Sequence, residues 1–270
     1  MEIKLEKQEK STAVVTIVVP SKEVEQQQQH TLAHLAEETT IKGFRKGKAP
    51  LNLVKNSLDP SRLKEKTLTH LLGHAIDQAV KDLKLKVIAN PHLTKEDTSA
   101  KGGSASGGDW TFTLEFPLYP EFELGDYTAK IKVAVTKAKP ENDDKKLKLV
   151  FDTLLNSTKM DIPEALVSEE VNRSLGRLVN QTETLNLSVA DYLKSINRTP
   201  EQLREEYHQT ATESLTLDFL LFAIAKDMKL TVSEDEVKSL QGAADVKPES
   251  RPYLESVLLK RKAVDSLLKL

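Results

Sequence analysis

The feature that most narrows the fold of this chain is a change of periodicity near Lys137. Before that point strand and helix signals alternate. Ile3-Lys4-Leu5-Glu6 alternates apolar and charged residues, and Val14, Val15, Ile17, Val18 and Val19 form a β-branched run closed by Pro20. Ser21 can then cap a helix running to about Glu38, with Val24, Leu32, Leu35 and Ala36 roughly on one face. A second helix is predicted from Ser61 to about Lys84. Strands return at Val87-Ile88, at Trp110–Phe116 and at Ile131–Val135, with the Gly/Ser-rich stretch Lys101–Gly108 as a connection between two of them. After Lys137 every segment has helical spacing and its own start signal. Thr199-Pro200-Glu201-Gln202 offers a cap, a first-turn proline and a capping-box glutamine, and Ser188-x-x-Asp191 and Ser233-x-x-Glu236 offer two further boxes. The reading is therefore an α+β domain over 1–137, a polar linker over 138–143, and an all-α domain over 144–270.

Composition sets the limits of function. The 270 residues contain no cysteine, which excludes disulfides, thiolate catalysis and Cys-ligated metal centres. No stretch has the 18 or more consecutive apolar residues of a membrane span, and Met1–Glu6 lacks the apolar run of a signal peptide, so a cytoplasmic setting is expected. The formal charge of −2 hides an asymmetry. From Lys42 to Lys66 there are eight Lys/Arg against Asp59 and Glu65, whereas from Asp161 to Glu255 there are 18 acids and 10 bases. The basic stretch suits an anionic partner.

Within it lies Gly43-Phe44-Arg45-Lys46-Gly47-Lys48-Ala49-Pro50, between two helices and out of phase with both. Glycine supplies positive φ and proline fixes φ negative, so this loop turns tightly at both sides and presents Phe44, Arg45, Lys46 and Lys48 at its tip. An apolar ring beside a guanidinium is a combination enriched at protein interfaces and usable on RNA. The outline Gly-x-x-x-Gly-Lys is one residue shorter than a P-loop and has Ala49 where magnesium needs a hydroxyl, so nucleotide binding is not expected. His30/His34 and His70/His74 stand at i,i+4, a spacing that can place two imidazoles on one metal, but no third ligand is visible and no metal or cofactor is assigned. No nucleophile triad or paired-carboxylate motif stands out, and no catalytic residue is named.

In the helical half, Leu215–Met228 is apolar around most of its circumference and reads as a helix buried among others. The segments Asp144–Met160 and Ile162–Val179 carry narrower stripes that a small domain has few neighbours to cover. Phe151, Leu154, Leu155, Leu166 and Val167 are therefore candidates for binding apolar chain segments, with Tyr253, Leu254 and Leu258 on the terminal helix as the next choice.

The loop Gly43–Pro50, placed between two helices after a Val-rich strand, closely resembles the signature loop of the trigger factor family of ribosome-associated bacterial chaperones. Trp110-Thr111-Phe112 through Phe122-Glu123-Leu124 is similar to that family's closing strand and exit segment. Ile162–Val167, Asp191–Lys194, Thr199–Arg204 and Ala223–Lys226 resemble its helical chaperone domain, in the same order. The departure is in the middle. Members of the family typically carry an FK506-binding-type prolyl isomerase domain between the halves, whereas here only Glu141–Met160 separates the linker from Ile162-Pro163, below the roughly 40 residues at which a domain holds a core unaided.

The resemblance implies a chaperone that needs no ATP, docks near the ribosomal exit tunnel and shields nascent or unfolded chains, without isomerase activity. Phe44, Arg45, Lys46 and Lys48 would dock, Arg45 against a carboxylate of a large-subunit ribosomal protein, while Gly43, Gly47 and Pro50 shape the loop. Its partners would be the ribosome, including ribosomal RNA, and unfolded polypeptides, with weak self-association and no membrane. The alternative is an RNA-binding ribosome accessory factor in which the basic stretch grips ribosomal RNA and the helices only provide a platform.

Overall fold

The computed structural model describes residues 1–98, 108–244 and 251–270, with side chains of 241–244 left aside. The expected connection at Lys101–Gly108 falls almost wholly outside them. The chain divides into two compact units, Met1–Tyr119 and Pro120–Leu270.

In the first unit, β1 (Glu2–Glu9), β2 (Thr12–Val19), β3 (His92–Asp97) and β4 (Trp110–Pro117) form an antiparallel sheet in the order β1-β2-β4-β3. The period-2 pattern decides which face is inside. Ala13, Val15, Ile17 and Val19 of β2 stand opposite Phe116, Leu114, Phe112 and Trp110 of β4, and all eight are buried. The alternate partners Thr16 and Thr113 face the other way, their hydroxyls 3.4 Å apart. Helices α1 (Ser21–Glu38), α2 (Leu51–Ser57) and α3 (Pro60–Asp82) follow β2. Leu71, Ala75 and Ala79 of α3 and Val24 of α1 complete the apolar cluster on the sheet. Asp59 caps α3, accepting from the Ser61 backbone N–H at 2.9 Å, with Pro60 at the first helical position.

In the second unit, α4 (Tyr127–Ala138), α5 (Asp143–Ser157), α6 (Glu164–Thr184), α7 (Val189–Ser195), α8 (Pro200–Asp227), α9 (Glu234–Ala244) and α10 (Arg251–Leu267) are the described elements. Of the capping signals, Ser21 does not cap α1, whose N-cap is Pro20 with no side-chain bond, and Ser188 caps α7 by accepting from Asp191 N–H at 3.1 Å without the return bond to its own N–H. Thr199 and Gln202 make the reciprocal box at 3.0 and 3.2 Å, and Ser233 and Glu236 do the same at 2.8 and 3.3 Å. The main core gathers Tyr127, Ile131, Val150, Leu154, Leu220, Ile224, Ala263 and Leu267. Smaller clusters form around Val167, Val171 and Ala211 and around Leu178, Leu193 and Leu203.

Three expectations are corrected. Ile131–Val135 is not a strand but lies in α4. Ile131 and Val135 also satisfy i,i+4 spacing with Tyr127, Asp126 caps the helix by accepting from Ala129 N–H at 2.9 Å, and burial in the helical core overrides the β-branched preference. Val133, which a strand would have kept beside them, is 67% exposed. Second, because α4 and the preceding Phe122 and Leu124 pack into the helical core, the chain divides after Tyr119 and not at residues 138–143. Third, Val87-Ile88 makes only an isolated bridge, Val87 to Leu118. The strand β3 was missed because its residues, His-Leu-Thr-Lys-Glu-Asp, are exposed and mostly polar. Short α2 was missed because one buried residue, Val54, anchors it.

Candidate functional site

The loop between α1 and α2 is two turns in succession. Phe44 N–H donates to the Ile41 carbonyl and Lys48 N–H to the Arg45 carbonyl, each at 2.9 Å. In both, the third residue is glycine with positive φ, +93° at Gly43 and +75° at Gly47, which is what a type II turn demands. The two differ in surroundings. A Cβ on Gly43 would meet open space, whereas one on Gly47 would lie 3.2 Å from the Glu37 carbonyl oxygen at the end of α1. The loop is thus pressed against the helix at Gly47 and free at its tip. Pro50 precedes the first residue of α2 and accepts from Leu53 and Val54 N–H at 3.0 and 3.2 Å.

The tip carries Phe44, 41% exposed, with Arg45 and Lys46 exposed beside it and Lys48 exposed after the second turn. No carboxylate among the described residues pairs with Lys42, Arg45, Lys46 or Lys48. An apolar ring and unneutralised cations therefore share one projection. It can enter a hollow on an acidic protein surface or lie on phosphates.

In the helical unit the candidate client-binding residues separate by burial. Leu154, Val167 and Leu254 are 1%, 2% and 5% exposed and belong to the cores, which corrects their assignment to a client surface. Phe151, Leu155, Leu166 and Leu258 are half-buried, and Tyr253 is 68% exposed.

Phe151 and Leu155 come together with Leu147, one helical turn apart in each step, along a groove between α5 and α8 of 480 Å³. Leu217 of α8 completes its apolar lining, and Asp144, Lys148, Asp152 and Glu213 supply its charged lining. A second hollow of 610 Å³ shares Asp152, Leu155 and Glu213 and continues to Met160 and Thr216. The groove is thus longer than one pocket. Sequence reading missed Leu147 and Leu217 as lining residues. The i,i+4,i+8 spacing of Leu147, Phe151 and Leu155 was the available signal for the first, but Leu217, sixty-two residues beyond Leu155, needs the helix packing.

Polar links hold this unit's last helix in place. Lys260 Nζ donates to Asp218 Oδ1 on α8 at 2.9 Å, and Lys262 Nζ donates to Glu236 Oε2 on α9 at 2.9 Å and to the Thr231 carbonyl at 2.7 Å. Together with bonds from Ser233, Lys262 holds the Glu236 carboxyl down at about 2. Tyr127 Oη donates to Asp227 Oδ2 at 2.8 Å, and burial with this acceptor pushes the phenol up to about 12. Neither group faces the groove, and both read as fastening. His30 and His34 stack edge-on at 4.6 Å, and no group of three metal-ligating side chains occurs among the described residues.

Comparison with known proteins agrees with the fold. Residues 1–154 match the family model for bacterial trigger factor protein, and residues 123–241 match the model for its C-terminus. The chain belongs to the trigger factor family. Trigger factor of Syntrophomonas wolfei is 33% identical over 126 residues, covering 47% of this chain and 27% of that protein. Trigger factor of Corynebacterium jeikeium is 28% identical over 193 residues, covering 70% of this chain and 36% of that protein. The matched regions thus span about a quarter to a third of these relatives. A solved structure described as "Promiscuous Substrate Recognition in Folding and Assembly Activities of the Trigger Factor Chaperone" covers 100% of this chain and 99% of its own, with a TM-score of 0.69 at 15% identity, a likeness of fold. The two family matches overlap over 123–154, and four residues, 139–142, join α4 to α5, so no inserted domain separates the trigger factor N-terminal and C-terminal regions.

Proposed function

We propose that this chain is a chaperone that works without ATP and without an isomerase domain, docking at the ribosomal exit tunnel through Gly43–Pro50 and holding apolar segments of nascent or unfolded chains in the α5/α8 groove. The loop carries the docking reading: two glycine turns hold Phe44, Arg45 and Lys46 outward with no internal partner for their charge. Arg45 pairs with a carboxylate of a large-subunit protein while Phe44 fills an apolar hollow beside it. The groove supports the holding reading, because half-buried Phe151 and Leu155 offer apolar area that an extended chain can cover and leave. A shallow, open groove gives many weak contacts, and weak contacts release without fuel. The same groove argues against a factor that only grips RNA, since an apolar floor flanked by three carboxylates against the one lysine, Lys148, does not suit an RNA backbone. Family membership and a fold neighbour described as recognising substrates promiscuously favour the same reading.

The test is cosedimentation with bacterial ribosomes. The parent chain pellets with the large subunit, and the variant Phe44→Ala/Arg45→Ala/Lys46→Ala stays in the supernatant while its circular dichroism and melting are unchanged. A variant that pellets like the parent removes the loop from docking.

A further inference from the structure

The terminal helix α10 has two apolar faces, and one of them joins the main core through Ala263 and Leu267. Leu254, 5% exposed, and half-buried Leu258 lie about 140–180° around the helix from those two, on the side that carries Arg251 and Lys262. That side meets α9. Arg251 Nη2 donates to Glu234 Oε1 at 3.4 Å, and Lys262 Nζ donates to Glu236 Oε2 at 2.9 Å. Buried Val237 and half-buried Leu240 lie between these two glutamates around α9. Apolar side chains thus stand opposite apolar side chains, with a carboxylate meeting a cation on each flank. Two acids of α10 share its side: Glu255 accepts from Arg251 Nε at 2.8 Å, and exposed Asp265 comes one turn past Lys262, away from the leucines. Exposed Arg261 is a third cation there. The hold on α9 is light, since Val237 is the buried one among its described side chains and both ion pairs are partly open to solvent.

We propose that α9 occupies, within its own chain, a binding face for acidic apolar segments of unfolded polypeptides, which enter when α9 lifts. What α9 places there defines the ligand: apolar side chains with a carboxylate on either flank. A basic segment brings no acceptor for Arg251 and Lys262, and a phosphate backbone brings no apolar group for Leu254 and Leu258. The α5/α8 groove has the opposite character, with three carboxylates and one lysine in its lining. The two places therefore divide apolar segments by the sign of their flanking charge. The inference rests on the holding reading only in naming the partner an unfolded chain.

The experiment measures binding of a fluorescent peptide copying residues 231–240 to the full chain by anisotropy. Glu234→Gln/Glu236→Gln loosens α9 and is expected to bind the peptide roughly fivefold more tightly than the parent, because apparent affinity rises with the fraction of chains whose face is open. Asp235→Asn, at an exposed acid outside the two links, binds like the parent. Arg251→Gln/Lys262→Gln loosens α9 as well but gains nothing, and a peptide with lysine in place of its acids is not bound. A gain that survives the loss of Arg251 and Lys262, or no gain in the glutamate variant, overturns the proposal. So does a glutamate variant that dimerises on a sizing column, which seats the α9 of a second copy on the face. On the unaltered chain, excess peptide is expected to speed amide exchange in 234–240, and unchanged exchange also overturns the proposal, whatever the folding of the variants. A Phe151→Ser/Leu155→Ser chain that no longer holds denatured clients yet binds the peptide reads failure of the groove apart from failure of this face.

Discussion

The loop at Gly43–Pro50 and the groove between α5 and α8 are built in opposite ways. Every part of the loop comes from eight consecutive residues, and its shape follows from two glycines at positive φ and the proline that starts α2. The groove takes Leu147, Phe151 and Leu155 from one helix and Leu217 from another, and it exists only after the helical core has formed. A contiguous loop offers a few strong contacts at a fixed place, which suits docking to one partner. A groove assembled from half-buried side chains offers diffuse apolar area, which suits many partners held loosely.

The largest expected effect tests where the two units part. A fragment 120–270 is expected to fold as a helical unit, whereas 138–270 lacks Tyr127 and Ile131 of the core and melts lower or not cooperatively, the loss of Ile131 alone being worth about 2–5 kcal/mol. Thermal melts by far-UV circular dichroism decide it, and equal stability of the two fragments would place α4 outside the core.

Next in size is the contrast between adjacent leucines on α5. Leu154→Ala removes a fully buried side chain and is expected to cost about 2–5 kcal/mol, read by urea unfolding. Leu155→Ser, at the groove, costs much less and reduces the chain's suppression of aggregation of a denatured client. Should both substitutions act only on stability, the groove is core and holds nothing.

The two loop glycines separate more finely. Both alanine variants force a side chain into positive φ at about 1 kcal/mol or more, but Gly47→Ala also pushes on the Glu37 carbonyl 3.2 Å away, so it is expected to weaken ribosome binding more than Gly43→Ala. Equal losses would mean that the loop is not braced on α1.

The smallest effect is the acid sensitivity of the α9–α10 fastening. Glu236 titrates at 4.5 when unfolded and at about 2 when held by Lys262 and Ser233, so its contribution is complete above pH 4.5 and is lost as the pH falls toward 2. The melting difference between the parent and Glu236→Gln is expected to shrink through that window, and a difference independent of pH would show that the carboxylate's charge is not what fastens α10.

How far the sequence reveals such a molecule depends on whether the signal is local. The strands β2 and β4, the helices α1 and α3, and the caps of α8 and α9 were legible, because the residues that decide them are neighbours in the chain. The loop was legible as a turning, cation-bearing projection for the same reason. Ile131–Val135 was not, since its apolar residues fit both strand alternation and helical spacing, and the choice is made by helices that lie far away in sequence. The same holds for the groove. Leu154 and Leu155 look alike in the sequence, and only the position of α8 makes one a core residue and the other a lining residue.

The central claim is that docking and holding reside in separate places. The most direct measurement compares the parent, Phe44→Ala/Arg45→Ala/Lys46→Ala and Phe151→Ser/Leu155→Ser in two assays, ribosome cosedimentation and suppression of client aggregation without ATP. The account predicts that the loop variant loses the first and keeps the second, and that the groove variant, folded by circular dichroism, keeps the first and loses most of the second. Loss of both activities in either folded variant would contradict it.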